Sequence, residues 1–567
     1  MKQLSLKTLS LFFGVCLFVA ASASRLFSLG AHWTSDERGW LDHSTVFMAA
    51  VEMGAFSETL VTFHPGIITM WIAALRTFFT EPHISVQGLA LARWFIGVVL
   101  LVGIGVAAVL LYRLFGRWVA LIGAAFLSFS PLFLAQSRRV HTDALASIFV
   151  LLTVLSLLLY CGTSQKRRYL IGSGIAFGLA CLAKSYSLIL LLWVPICFVL
   201  FRNREETWRE FFLHKLGAGL CFLSCTLLTV FALLPIFWNP TFLIFGMCLL
   251  AVTLVAYREL QKAAHGRLTL YLASVVVVGV VSGHTVRTVW RVFDGVAWAI
   301  TTPHNVEHFF LGQALYDPGW LYYPLVLCIK TTPLTFPLVF AGCLFLWRKR
   351  YQEGYARQFR IALGLVAVVL LFTLCLSMTS KKFSRYLLPA FPILEILAAV
   401  GFFEFLKWGY SYIDSRFGTE TNSQKLTFSI VTILCLTLIQ ILPVLRLHPY
   451  YSTYYNLCFK LTDIRKIITV SAAAGYDLAA KHLNGKPNAQ ALRVQTFPQS
   501  AQFFFPYFVG QPLWSDAGEA VVPDYEVVHI RESQAGWVPQ TGTLNGELEH
   551  VITLNGIDYV WIYRIPQ

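Results

Sequence analysis

Apolar runs near twenty residues long recur along most of this chain, and a run of that length is what a helix needs to cross a bilayer. They fall at 9–30, 89–112, 118–135, 144–161, 169–183, 186–201, 216–236, 241–256, 268–285, 321–346, 361–377, 387–406 and 427–445, about thirteen in all. Composition agrees: the chain is 57% hydrophobic and 13% charged, whereas soluble domains carry about 25% charged residues. The pattern predicts an all-α polytopic membrane protein.

Lys and Arg in short loops set the orientation. Lys2 and Lys7 precede the first run, which places the N-terminus in the cytoplasm. Alternation then puts the basic clusters Arg113 to Arg117, Lys166-Arg167-Arg168, Arg202 to Lys215, Arg258 to Arg267, Arg348-Lys349-Arg350 and Arg416 to Lys425 on the inner side. The net charge of +15 is concentrated there, against anionic lipid, and calls for no nucleic acid. The first run has a basic start, and Ala21-Ser22-Ala23 resembles a signal cleavage site, but it reads as an uncleaved helix. Twelve cysteines offer no Cys-x-x-Cys pair and no disulfide framework.

Residues 1–446 thus read as a membrane domain with two large outer loops, 31–88 and 286–320. Within the first, Gly66 to Phe79 reads as an amphipathic interfacial helix. Beyond 446 the composition changes. Short β-rich runs such as Tyr525 to Ile530 and Tyr559 to Tyr563, with a turn signal at Asn555-Gly556, predict a small extracytoplasmic α/β domain over 447–567. The expected location is the cell (inner or plasma) membrane, multi-pass, with the C-terminal domain outside.

The informative charges are those the positive-inside rule does not explain. Arg138, Arg139, Lys184, Lys381, Lys382 and Arg385 all fall at outer ends of spans. Each alone could snorkel to headgroups, but together they suit a phosphate ligand. Asp36 and Glu37 sit side by side in the first outer loop, Asp143 opens a span where it also suits a helix N-cap, and His64 precedes Pro65-Gly66. Charge is costly in so apolar a chain, so its clustering on one face marks a functional site.

These residues occur in an order that resembles the GT-C membrane glycosyltransferases, in particular the protein O-mannosyltransferases and the lipid A aminoarabinose transferases. Asp36-Glu37 is similar to the Asp-Glu pair in the first outer loop of the former, and Phe63-His64-Pro65-Gly66 to their Val-His-Pro-Pro. Gln136-Ser137-Arg138-Arg139 followed by Asp143 is similar to their Gln-Ser-Arg-Tyr…Asp. Gly178 to Lys184 resembles a glycine-to-lysine run in both groups. Lys381-Lys382-Phe383-Ser384-Arg385-Tyr386-Leu387-Leu388-Pro389 resembles the Lys-Leu-Pro-x-Tyr-x-Leu-Pro run of the aminoarabinose enzymes. The runs Tyr316 to Pro324 and His448 to Asn456 resemble further bacterial members, so the likeness extends to about residue 485. Gly66 departs from the family's second proline. His64 and Phe63 replace a lysine and a metal-binding glutamate of the aminoarabinose enzymes, so their structural zinc is not implied. No cofactor is certain, and a divalent cation remains open. The mannosyltransferases' carbohydrate-binding insertion is absent.

The resemblance implies an inverting glycosyltransferase that moves a sugar from a polyprenyl phosphate to a hydroxyl of a lipid, glycan or protein at the outer face. Asp36 is the expected catalytic base. Glu37, His64, Arg138, Arg139, Asp143, Lys184, Lys381, Lys382, Arg385 and Tyr386 are the expected substrate-binding residues. Trp298, Tyr316, Trp320, Tyr322 and Tyr323 are candidates to shape the sugar pocket. A sugar-lipid transporter or flippase would need the same cations without bond cleavage, and a non-catalytic polysaccharide-assembly subunit would keep the fold alone.

Overall fold

The computed structural model describes residues 6–34, 36–62, 65–81, 83–164, 166–203, 205–238, 307–417, 431–432, 438–459, 462–471, 473–513, 522–536 and 546–566. In chain order the helices that matter here are α1 (Leu6–Leu26), α2 (Glu37–Glu52), α3 (Ile67–Ala74), α4 (Val86–Phe115), α5 (Arg117–Ser128), α6 (Pro131–Gln136), α7 (Thr142–Leu159), α8 (Arg167–Ala183), α9 (Leu190–Leu200), α10 (Trp208–Leu233), α11 (Tyr322–Lys330), α12 (Thr335–Arg348), α13 (Tyr355–Ser377) and α14 (Ala390–Phe417).

Among the described residues four helices are long and apolar enough to cross a membrane: Val86–Phe115, Thr142–Gly162, Trp208–Leu233 and Tyr355–Ser377. The pair α11 and α12 makes a fifth if it is one span, but it is bent by 102°. Several expected spans are thus not single straight helices. The run 118–135 breaks where Pro131 starts α6, since proline cannot continue the preceding helix. The run 186–201 begins as the 3-10 turn Ser185–Ile189 before α9. The expected spans 241–256 and 268–285, and most of 427–445, lie outside the described residues, as do Phe63, His64 and Trp298.

α7 is the centre of the bundle. Nearly every side chain from Thr142 to Leu159 is buried, as befits a helix that is apolar all round. It packs on α8, which in turn packs on α10 through glycines. A Cβ at Gly174 would lie 2.6 Å from the Phe222 carbonyl oxygen, and one at Gly178 would lie 2.7 Å from Thr229 Cβ. Small residues at a membrane helix contact let the backbones approach.

The described part of residues 31–88 is more structured than expected for a loop. α2 fills its start, burying Trp40, Leu41, Ser44 and Phe47 on one stripe. The expected amphipathic helix is found as α3 and a short 3-10 turn: Ile67, Ile68, Met70, Ala73 and Ala74 face protein, whereas Leu75, Phe78 and Phe79 are exposed. Gly66 caps it with φ +63°, and a Cβ there would lie 2.2 Å from the Trp40 ring. Proline cannot adopt that φ, which accounts for the departure from the family's second proline.

At the C-terminal end, strands β3 (Arg493–Thr496), β4 (Gln511–Leu513), β5 (Tyr525–His529), β6 (Glu547–Leu554) and β7 (Ile557–Arg564) form one sheet, after a β1–β2 hairpin (His308–Phe310, Gln313–Leu315) in the second outer loop. The sheet order is β4-β3-β5-β7-β6, parallel across β4-β3-β5 and antiparallel across β5-β7-β6. Helices α15 (Tyr476–Asn484) and α16 (Ile530–Gln534) pack with it. This small α/β region rests on the chain that follows α1. Tyr507 Oη donates to the Gly30 carbonyl at 2.8 Å, and the His32 N–H donates to Asp477 at 3.3 Å.

Candidate active site

Two adjacent carboxylates open α2, and the fold treats them oppositely. Glu37 is fully buried. Its Oε1 accepts from Arg93 Nε at 2.8 Å and from the Val140 N–H at 2.8 Å. Its Oε2 accepts from Arg93 Nη2 at 2.5 Å and from the Thr34 hydroxyl and N–H at 2.8 and 3.1 Å. Arg93 spends its remaining donors on the carbonyls of Leu29, Ala31 and His32. Burial alone would raise the Glu37 carboxyl, but the charge of Arg93 and these hydrogen bonds outweigh it and hold the group below the usual carboxylate range. Glu37 therefore ties loop 29–34 to α4 and to the turn before α7.

Asp36 is the N-cap of α2, and its side chain keeps 38% of its surface. Arg385 Nη2 lies 2.8 Å from Asp36 Oδ2, and His141 Nε2 lies 3.3 Å from the same oxygen. Burial opposes ionisation, but the charge of Arg385, followed by His141 and Lys184, holds the carboxyl well below its ordinary value. Asp143 lies behind it, fully buried in the first turn of α7. Its Oδ2 is 2.8 Å from His141 Nδ1 and 3.4 Å from Arg385 Nε, its Oδ1 is 3.9 Å from Lys184 Nζ, and Tyr186 Oη donates to Oδ1 at 3.1 Å. His141, not Asp143, is the N-cap of α7.

Lys184 terminates α8, whose end is fixed by the Gly66 N–H donating to the Ala183 carbonyl at 3.1 Å. Its ammonium sits 5.3 Å from the centre of the Tyr386 ring. Burial and Arg385 make Lys184 easier to deprotonate than a free lysine, against the pull of Asp143 and Asp36. Arg385 moves the other way: burial disfavours its charge, but Asp36, Tyr386 and Asp143 more than compensate.

The six cations that the sequence singles out are thereby sorted. Arg385 and Lys184 join Asp36 and Asp143. Arg139 lies beside them, with its guanidinium in no hydrogen bond or ion pair among the described residues, and burial lowers it to about 10. Arg138 is structural: its Nη1 donates to the Ser24 carbonyl at 2.5 Å and its Nη2 to those of Phe27 and Ser28 at 2.8 and 3.0 Å. Lys382 donates to the Thr379 carbonyl at 2.6 Å and pairs with Asp317 at 2.5 Å, where the Gly319 N–H closes the expected tight turn on the same carboxylate. Lys381 is buried, and the charge of Lys184 adds to burial in lowering it. Among the aromatic candidates, Tyr322 and Tyr323 are core, whereas Tyr316 and Trp320 are exposed.

Sequence reasoning missed four contributors. His141 stands inside the quoted run Gln136 to Asp143, but a lone histidine carries no spacing signal. Tyr186, two residues past Lys184, and Arg93, inside an apolar span, were equally silent. Arg531, in α16 of the C-terminal region, is close enough to feel the charges of both Asp36 and Arg385, yet its guanidinium makes no hydrogen bond or ion pair among the described residues. Among those residues no group of three His, Cys, Asp or Glu is placed to hold a metal ion.

Residues 64–230 match the family described as dolichyl-phosphate-mannose-protein mannosyltransferase. No curated protein matches the chain. Among solved structures it is similar to the oligosaccharyltransferase of Archaeoglobus fulgidus (14% identity, TM-score 0.46, covering 93% of this chain and 70% of that one). It is also similar to ArnT from Cupriavidus metallidurans, solved with undecaprenyl phosphate (15% identity, TM-score 0.44, covering 98% of each chain). The family match covers α3 to α10, including His141, Asp143 and Lys184, and bears out the resemblance to GT-C membrane glycosyltransferases.

Proposed function

We propose that the chain is an inverting glycosyltransferase that moves a sugar from a polyprenyl phosphate to a hydroxyl acceptor at the extracytoplasmic face of the cell membrane, with its N-terminus in the cytoplasm and its C-terminal domain outside. One observation carries the reading. An ionised, partly open carboxylate, Asp36, sits in a single cluster with Arg385 and Lys184. The matched family, whose description names a lipid-phosphate-linked sugar donor, supports it.

The chemistry follows from the charges. The acceptor hydroxyl passes its proton to Asp36 as its oxygen attacks the anomeric carbon, and the bond from that carbon to the phosphate oxygen breaks. The leaving phosphate gains negative charge, which fixed cations stabilise. Arg385, Lys184 and Arg139 are assigned that role. A phosphate leaves without needing a carboxylic acid to protonate it, so one carboxylate suffices, unlike the pair in glycosidases. A single displacement inverts the anomeric centre.

Asp36 in the resting site is a weak base, because Arg385 holds it ionised. A donor phosphate bound to Arg385 brings negative charge that offsets the guanidinium. The proton affinity of Asp36 then rises toward its ordinary value. Donor binding would thus switch the base on, which limits reaction without a bound donor.

Full-length protein reconstituted with a labelled sugar-lipid extract tests this. Free polyprenyl phosphate should appear in step with glycosylated product. Movement of intact sugar-lipid between leaflets without cleavage would make the chain a flippase instead. For sidedness, a reporter active only outside the cytoplasm and fused after Gln567 should be active.

A further inference from the structure

The end of the bundle away from Asp36 is built by α1, α4 and α5. α4 starts near the site, where Arg93 pairs with Glu37, and reaches Arg113 about 30 Å further along at a helix's rise per residue. α5 starts at that far end with Arg117 and runs back to Ser128. α1 runs the same way as α5. Near its start the Ser10 hydroxyl accepts from Arg117 Nη1 at 3.4 Å, and near its end the Ser24 carbonyl accepts from Arg138. Between the three helices lies a groove of about 780 Å³.

Small side chains make the room. Gly14 and Ala21 on α1, Gly105 and Ala108 on α4, and Ala120 and Ala124 on α5 all line the groove. A Cβ at Gly105 would meet nothing within 4 Å. Phe18, Val102 and Val109 also line it and are exposed. From Val98 to Arg113 the α4 wall is about 22 Å long. Half of a hydrocarbon core is roughly 15 Å thick, so the groove is long enough for one acyl chain of a membrane lipid.

The groove is charged at one end only. Arg113 and Arg117 line it there, and Arg357 of α13 reaches the same end, donating to the Leu114 carbonyl at 3.1 Å. The Arg113 guanidinium lies against the Tyr112 ring and makes no hydrogen bond or ion pair among the described residues. None of α1, α4 and α5 carries an Asp or Glu. Lipid with any headgroup covers a smooth apolar face. A slot with uncompensated arginines at one end instead matches a phosphate joined to an apolar chain.

We propose that this groove binds one anionic phospholipid, its phosphate against Arg113 and Arg117 and one acyl chain between α1, α4 and α5. The site is separate from the cluster around Asp36, and the proposal does not depend on the transferase reading.

Native mass spectrometry of the full-length protein tests this without turnover. Released from nanodiscs of phosphatidylglycerol and phosphatidylethanolamine, the wild type should retain one phosphatidylglycerol in preference to phosphatidylethanolamine. Arg113→Gln combined with Arg117→Gln should lower that retention by about five- to thirtyfold, as expected for two arginines near an anionic headgroup. Arg113→Lys combined with Arg117→Lys should keep most of it. Gly105→Leu, which leaves both arginines in place and fills the slot, should lower retention as far as the glutamine pair. Arg385→Ala should not change it. A phosphatidylglycerol with a photoreactive group at the end of its acyl chain should label α1, α4 or α5 in the wild type. Unchanged retention in the glutamine pair or in folded Gly105→Leu, loss in Arg385→Ala, or labelling confined to other helices would overturn the proposal. Wild-type dimers that Gly105→Leu splits into monomers would place a second copy of the chain in the groove and overturn it too.

Discussion

The polar core at one end of the bundle divides into two neighbouring regions that share a helix start. The side chains of Glu37 and Arg93 have every donor and acceptor paired, down to the loop carbonyls of Leu29, Ala31 and His32. Around Asp36, Asp143 and Arg385 the groups are close but poorly aligned: Asp143 Oδ2 and Arg385 Nε are buried without a proper hydrogen bond among the described residues. Arg138 and Arg139 repeat the contrast: the guanidinium of the first donates to three carbonyls, and that of the second makes no hydrogen bond or ion pair among the described residues. Buried polar groups are normally satisfied. A saturated region next to an unsaturated one therefore separates scaffold from site. Sequence adjacency does not, since Asp36 and Glu37 are neighbours.

The contrast breaks most visibly at the saturated end. Glu37→Ala should destabilise the protein by about 3–5 kcal/mol, the usual cost of stranding one member of a buried ion pair. Denaturant or thermal unfolding in detergent checks this, and wild-type stability would show that the Glu37 region is not scaffold. Next come the cations of the open region. Arg385→Ala and Lys184→Ala should each weaken binding of undecaprenyl phosphate by roughly 2–4 kcal/mol, with folding kept. Equal binding in both would remove them from the phosphate site.

A pH experiment sharpens the same comparison. The hydrogen bonds and charge of Arg93 hold Glu37 below its unfolded value. Its contribution to stability is complete above the ordinary carboxylate range and is lost as pH falls through the lowered value. Wild type should therefore lose more stability on acidification than Glu37→Gln, and parallel acid curves would contradict that. The smallest expected effect is at Arg531. Arg531→Gln should slow transfer by about three- to tenfold, the size of a peripheral charge effect near 1 kcal/mol, without weakening undecaprenyl phosphate binding. An unchanged rate would leave the C-terminal region out of the site.

The sequence made the open region legible because its members are expensive there. Asp36, Asp143, Lys184 and Arg385 are ionisable groups at the ends of apolar runs, and the fold does bring them together. It did not reveal that Arg138 would turn to backbone carbonyls, because that depends on the path of residues 24–28. α2 is hard to see in the sequence, although Trp40, Leu41, Ser44 and Phe47 carry a helical stripe, because Asp36, Glu37, Arg38 and Asp42 make the stretch look polar. The fate of the 118–135 run was written in Pro131. α3 shows a different limit: its apolar residues suit a bilayer surface or a protein interior equally well, and which of them pack on protein depends on contacts such as Trp40 against Gly66 that the sequence does not display.

The central claim is that the open carboxylate acts on the acceptor while its neighbour holds the scaffold. Asp36→Asn keeps size and polarity and removes the proton acceptor. In proteoliposomes with equal amounts of folded protein, release of polyprenyl phosphate by Asp36→Asn should fall by about 10²–10⁴-fold, with undecaprenyl phosphate still bound. Turnover at the wild-type rate in Asp36→Asn would contradict the account.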